Sequence, residues 1–253
     1  MPSNTTYQSA GSPGPKILML HGNGQSGQML QCKTEFLMPQ VRDTVIKALQ
    51  QDPGTPPIEK VEFHYPSSKL PTKLDQHPEE INHMWTWARG SNTDEPALGI
   101  EKSVNDIFRY LDENGPFLGI MGFSMGATTA AIVASLLEKR HSIHNFKFNT
   151  NHPPLKFVVA VCGFALGHPL YHNLYNPKIE TPIFLAIASI DVMVAESESL
   201  RLRDSSTNTT LYFFEGTHNV PRDGVFLNSL TRFIEDVLNI EDREEDWEDY
   251  GEY

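Results

Sequence analysis

Apolar residues along the chain fall into two alternating patterns. The first is a short run with few polar interruptions, as in KILMLHG (16–22), FLGIMGFS (117–124), LKFVVAVCGFA (155–165) and TPIFLAIASID (181–191). Runs of this length without alternation predict strands buried on both faces. IEKVEFHYP (58–66) alternates imperfectly through Ile58, Val61, Phe63 and Tyr65 and stops at Pro66, and TTLYFFEGTH (209–218) completes the set of predicted strands.

The second pattern has helical spacing. Ile100, Val104, Ile107, Phe108 and Leu111 mark a helix from Gly99 to Asn114, stopped by Asn114-Gly115-Pro116. MGATTAAIVASLLEKR predicts a helix with a smooth face of Ala127, Ala130, Ala131 and Ala134. Residues 28–50 read as helical, and a short helix is expected around 195–203. The last helix carries Phe226, Leu230, Phe233, Ile234, Val237 and Leu238 on one stripe.

Buried strands separated by helices predict an α/β fold with a mostly parallel, doubly wound sheet flanked by helices. Such sheets hold ligands at the carboxyl ends of their strands, so reactive residues should fall just after strands. Residues 67–96 carry prolines, histidines and charges with no lasting period. They read as a long excursion, and with 164–180 they are the expected lid or pocket loops.

The length, 253 residues, suits a single domain over 16–240. Residues 1–15 are polar and rich in Ser, Pro and Gly, a flexible leader rather than a signal peptide. The longest nearly apolar run, FVVAVCGFALG, is too short to cross a bilayer as a helix. Charge changes the picture at the other end. The segment 241–253 has eight acidic residues against one arginine, −7 of the formal −12. A block of like charge is expected to stay solvated and disordered. It argues against nucleic acid or an anionic membrane as partner. Two cysteines, Cys32 and Cys162, give neither a disulfide framework nor a metal quartet, so a reduced, cytoplasmic chain is expected.

The test for residues after strands is met at GFSMG (122–126). A serine between two glycines, with a strand before and a helix after, is the setting of a nucleophile elbow. The turn is tight, and the free N–H groups of the following helix point where negative charge develops. Ser124 is the candidate nucleophile, and a hydroxyl of this kind needs a base. Beyond Ser124 and clear of its helix stand His152, His168, His172 and His218, of which only His218 directly follows a predicted strand near the chain end. The candidate acid is Asp191, at the end of IFLAIASID, and Asp204 is the weaker alternative in a polar stretch. The bland reading of Asp191 is a helix cap or an Asx turn. An oxyanion hole needs two backbone donors. Met125, next to the nucleophile, supplies one, and Asn23 in LHGNGQSG is the candidate for the other, with a plain glycine turn as the alternative. A structural hydrogen-bonding role is expected for His21.

KILMLHGNGQSGQML, HMWTWARG, GIEKSVNDIFRYLDENGPFLGIMGFSMGA, IASIDVMV and EGTHNVP, in this order, together resemble the FSH1-type serine hydrolase family. That family includes small esterases and fungal thioesterases of polyketide pathways. The resemblance spans most of residues 16–240 and implies an α/β-hydrolase fold. It implies Ser124 as nucleophile, Asp191 as acid, His218 as base, and no cofactor. Two positions depart from the family pattern: Ala188 stands where glycine is frequent and Ala195 where proline is, which bears on the loop around Asp191. The family's tryptophan stretch corresponds to Trp85 and Trp87, which with Met84, Met125 and Leu166 are expected to line an acyl pocket. Packing of the excursion on the sheet is the alternative. His141-x-x-His144 and His168-x-x-x-His172 invite a metal, but no carboxylate sits at matching spacing and none is expected.

The resemblance implies a small-molecule ester or an acyl thioester as substrate, carrier-protein-bound in the polyketide case. The acidic chain is a poor electrostatic match for an acidic carrier. An acyltransferase using the same acyl-enzyme and a non-catalytic binding module are the rival expectations.

Overall fold

In the computed structural model, which describes residues 14–50, 57–73, 84–90, 95–139, 146 and 150–248, six strands form one wholly parallel sheet. Its strands are β1 (Lys16–Leu20), β2 (Glu62–His64), β5 (Gly119–Phe123), β6 (Phe157–Val161), β7 (Ile183–Ala188) and β8 (Thr209–Phe214), in the order β2-β1-β5-β6-β7-β8. The two predicted strands with the weakest apolar runs, β2 and β8, are the sheet edges, and both are shorter than their patterns. An edge needs fewer apolar residues, because only one side of the strand is paired. A second, two-stranded antiparallel sheet joins β3 (Leu70–Pro71) to β4 (Trp85–Thr86) within the excursion.

Successive side chains of a strand point to opposite faces, and the sheet thereby feeds two cores. Leu18, Leu20, Ile120, Val158, Ala160 and Leu185 face α3 (Ile100–Asn114) and α4 (Met125–Lys139). Their neighbours Ile17, Met19, Met121, Val159 and Phe184 face α1 (Gly27–Thr34), α2 (Met38–Leu49) and α7 (Gly224–Glu248). This two-sided burial explains why the central strands show no alternation. The alanines of α4 are fully buried, which lets that helix lie close over β5 and β6. The last helix uses its predicted stripe, with Phe226, Leu230 and Ile234 fully buried.

The helix predicted over 28–50 is two helices, α1 and α2, joined by a 3₁₀ turn at Glu35–Leu37. Pro39 is the cause: it has no N–H to continue a helix but fits the first turn of a new one. In the 164–180 segment a 3₁₀ turn (Pro169–Tyr171) leads into α5 (His172–Tyr175), and α6 is Glu196–Asp204. Helix α7 continues to Glu248, into the acidic segment that begins at 241. The leader to residue 13, His141 and His144 lie outside the described residues. Among the described residues no helix is long and apolar enough to cross a membrane.

Phe184 shows how α7 closes its face of the sheet: its ring lies 6.0 Å from Phe226 and 5.5 Å from Phe233. Phe184→Ala is expected to cost about 3–5 kcal/mol. Phe213→Ala, one strand over and 52 % exposed, should cost under about 0.5 kcal/mol. Urea unfolding of both variants measures the difference, and equal losses would contradict this placement of α7.

Candidate active site

Ser124 stands at the carboxyl end of β5, beside the carboxyl ends of β1 and β6. Between β5 and α4 this serine takes φ +54, a left-handed conformation that costs a non-glycine residue energy and marks a constrained position. Its N–H donates to Val161 O at 2.8 Å, and its carbonyl accepts the N–H groups of Ala127 and Thr128 at 2.9 and 3.1 Å. The two flanking glycines are required by contact. A Cβ on Gly122 would lie 2.4 Å from Gly126 O, and one on Gly126 only 2.1 Å from Leu20 O. The elbow therefore touches the end of β1 backbone to backbone.

That contact brings the loop after β1 to the serine. A Cβ on Gly22 would meet Ser124 Cβ at 3.3 Å. Asn23 follows it in an exposed turn, with Gly24 at φ +69. Gly24 and Gln25 both donate to Trp85 O, at 2.9 and 3.3 Å, and Trp85 N–H returns a 2.9 Å bond to Gln25 O. No hydrogen bond within the described residues takes the N–H of Asn23 or of Met125.

His21 fixes this loop from below. It is fully buried, its Nδ1 bonds Gly22 O at 2.8 Å and its Nε2 accepts Ser68 N–H at 3.1 Å. The pair of bonds requires a neutral ring with the proton on Nδ1. Burial lowers its pKa from 6.5 to about 4, against the weaker opposing pull of the Gly22 carbonyl. Trp87 Nε1 donates to His21 O at 2.8 Å, and the two rings lie 4.9 Å apart. The expected structural role of His21 is thus what its bonds describe.

Opposite, His218 follows β8 and Asp191 follows β7. His218 Nδ1 meets Asp191 Oδ2 at 2.7 Å, with the Asp191 side chain 5 % exposed. The other oxygen, Oδ1, accepts the N–H groups of Met193 and Val194 at 2.8 and 2.9 Å. Burial alone would raise the Asp191 pKa, but the bonds from His218, Val194 and Met193 outweigh it and hold the carboxyl below its ordinary value. The His218 ring packs 4.9 Å from Phe123, the residue before the serine. Asp204 lies elsewhere, exposed and paired with Arg203 at 2.7 Å.

Cys162 was not anticipated beside this pair. It ends β6 at φ +51, is buried, and its Sγ lies 3.7 Å from Asn219 O. Burial, then the Asp191 charge, pushes its thiol up to about 12, so it is a neutral neighbour. The ligand atoms of Cys162, Asp191 and His218 lie within 4.8 Å of one another, the metal-capable grouping among the described residues. A cation there would have to displace the 2.7 Å bond between Asp191 and His218. His168 and His172 bond locally instead, to Leu170 N–H and to Asn176.

A cavity of about 230 Å³ opens over Ser124 and Met125. The loop after β1 and the excursion contribute Asn23, Thr72, Ala88, Arg89 and Gly90 to its lining, and the segments after β6 and β7 contribute Phe164, Met193, Val194 and Glu198. Of the expected pocket residues, Met125 is the one in this lining among the described residues. Trp87 is 2 % exposed and spends its indole on His21; Trp85 ties the loop after β1 through its backbone. Met84 is exposed near Gly24, and Leu166 is buried, its N–H on Tyr175 Oη at 3.0 Å. Arg89 stands two residues past Trp87, and only the position of the excursion over the strand ends hinted at it.

A parallel sheet with a serine on a glycine-flanked elbow after β5 and an Asp–His pair after β7 and β8 is the α/β-hydrolase arrangement. The profile described as Serine hydrolase (FSH1) matches residues 12–230, and the chain belongs to that family. A Schizosaccharomyces pombe protein named dihydrofolate reductase is 28 % identical over 221 residues, covering 87 % of this chain and 46 % of that one. The chain spans about half the length of this relative and of a second S. pombe relative named as a hydrolase. Family of serine hydrolases 3 from Saccharomyces cerevisiae is 28 % identical over 242 residues, covering 90 % of this chain and 86 % of that one. The crystal structure of Zea mays acyl-protein thioesterase 2 shares the fold, with TM-score 0.58 and 17 % identity over 92 % of this chain and 97 % of that one.

The neutral His21 makes stability depend on pH. Its folded pKa lies below the unfolded value, so the unfolded chain takes up the proton first as pH falls. The stabilisation is complete above about pH 6.5 and is lost as pH falls towards 4, about 3 kcal/mol in all. Urea midpoints across that window should fall less steeply in His21→Gln than in the native chain. An identical slope would mean that His21 is not the group responsible.

Proposed function

We propose that this chain hydrolyses an ester or thioester through an acyl-enzyme on Ser124. The observation that carries the reading is the 2.7 Å bond from His218 Nδ1 to Asp191 Oδ2, in a site whose serine sits on a strained elbow. With Nδ1–H donated to Asp191, the Nε2 of His218 keeps its lone pair and can accept the Ser124 proton. The Ser124 oxygen attacks the carbonyl carbon. The unpaired N–H groups of Met125 and Asn23 receive the charge that forms on the carbonyl oxygen. His218 then gives the proton to the departing alcohol or thiol. A water, deprotonated by His218 in turn, cleaves the acyl-enzyme and restores Ser124. Asp191 holds the imidazole in the required tautomer and stabilises its charged form. No step calls for a cofactor.

The finer reading is release or trimming of an acyl or polyketide chain, carrier-bound or free, in fungal-type secondary metabolism. It draws on the resemblance to the family's thioesterases. The acyltransferase alternative would need water excluded from the acyl-enzyme. The binding-module alternative sits poorly with an Asp–His pair this short beside a strained serine.

A fluorophosphonate probe should label the native chain and leave Ser124→Ala unlabelled. Asp191→Asn should keep the fold and lose on the order of 10³–10⁴-fold in kcat on p-nitrophenyl esters. A folded native chain that resists labelling would sink the mechanism. Release of acyl products to added alcohol or amine far faster than to water would assign transfer instead.

A further inference from the structure

Arg89 is the cation that the Ser124 mechanism does not use. It lines the cavity that contains Ser124, and its backbone is fixed on both sides. Its N–H donates to Leu98 O at 2.9 Å, its carbonyl accepts Leu98 N–H at 2.7 Å, and Gly90 turns the chain at φ +67. The guanidinium is poorly compensated. One nitrogen reaches Pro71 O at 3.5 Å, the limit of a hydrogen bond, and the buried Nε has no partner. Buried donors are nearly always paired, and a charged one left unpaired is costly. Among the described residues Arg89 makes no ion pair, although the chain carries a formal net charge of −12.

The carboxylate in the same lining does not serve it. Glu198 Oε2 accepts Ala195 N–H at 3.1 Å, and its Oε1 faces Arg201 at 3.7 Å, so Glu198 is engaged with the start of α6. Glu95, near Gly90, is exposed and forms no ion pair with Arg89. The rest of the lining from the segments after β6 and β7, Phe164, Met193 and Val194, is apolar. The cavity lining thus combines one cation, one carboxylate already engaged by α6, and the apolar Phe164, Met193 and Val194 with the nucleophile.

We infer that Arg89 is a specificity residue which pairs with an anionic group on the substrate, a carboxylate on the acyl or on the leaving side. This rests on the hydrolase reading of Ser124. An incoming carboxylate would give the guanidinium the charge-assisted partner that none of the described residues supplies. Binding energy of this kind discriminates strongly, because a neutral analogue leaves the buried donor unpaired.

The full chain is assayed on p-nitrophenyl butyrate, on mono-p-nitrophenyl succinate (anion on the acyl side) and on 3-carboxy-4-nitrophenyl butyrate (anion on the leaving side). The native chain should favour one of the anionic esters over the neutral one in kcat/KM after correction for intrinsic reactivity. Whichever ester is favoured assigns the side. Arg89→Gln should lower kcat/KM for that ester about 10–100-fold and change the neutral ester less than about twofold. Arg89→Lys should recover part of the loss, and added salt should shrink the preference only where a cation is present. Fluorophosphonate labelling of Ser124 is run in parallel on native chain and variants. Absent labelling is failure of the hydrolase reading. Intact labelling with no anionic preference, or with both ester classes lowered equally by Arg89→Gln, overturns the role of Arg89 alone.

Discussion

The close approach of Gly126 to the end of β1 is the constraint from which the rest of the site follows. No side chain fits there, because its first carbon would lie 2.1 Å from Leu20 O and 2.5 Å from His21 O. With the gap closed to backbone contact, the start of α4 and the loop after β1 share one small volume. That is why Met125 and Asn23, distant in sequence, line one cavity with the same serine. The alanine face of α4 extends the effect: it lets the helix settle over β5 and β6, so that the elbow is held by packing as well as by turn geometry.

A loop placed by contact still has to be held, and buried polar bonds do this. His21 joins the end of β1 to Ser68, Trp87 joins His21 to β4, and β4 joins Gly24 and Gln25. These are bonds inside a dry region, where each is worth more and where losing one partner strands the other. The excursion is therefore a brace for the loop after β1 first and a cavity wall second. On the opposite side Asp191 divides its two oxygens: Oδ1 closes its own loop through Met193 and Val194, and Oδ2 holds His218. The Asx turn that could have been the bland explanation of Asp191 is the device that aims its other oxygen.

This explains which parts were legible in the sequence. The central strands, α3, α4 and α7 were legible because burial on two faces or on one stripe writes a strong apolar period. The candidate residues Ser124, Asp191 and His218 were legible because each comes within a few residues of the end of a strand, His218 after the edge strand β8. The break at Pro39 and the shortness of β2 and β8 were less so, since edge position and local turn chemistry carry little apolar signal. The tryptophans left two readings open for a definite reason. A large aromatic near a reactive serine can wall a pocket or pack beneath it, and composition does not distinguish the two. Only the tertiary bond from Trp87 to His21 does. Cys162 was invisible as a neighbour of Asp191, because its place depends on the pairing of β6 with β7.

The same reasoning bears on where substrate identity resides. Residues that brace the site are buried and satisfied: His21, Trp87, Thr86 and Ser68 have their polar groups taken. Among the described residues of the excursion, Thr72, Ala88, Arg89 and Gly90 line the cavity with Ser124, and of these only Arg89 carries a charge and only its Nε is buried without a partner. A bracing residue can change little without loosening the loop after β1. A cavity residue on the same segment can change while the brace persists, because the bonds of the brace run through Thr86 and Trp87 and not through the Arg89 side chain. The segment from Thr86 to Gly90 thus separates two tasks residue by residue. Thr86 and Trp87 hold the loop after β1, and Ala88, Arg89 and Gly90 line the cavity beside Ser124.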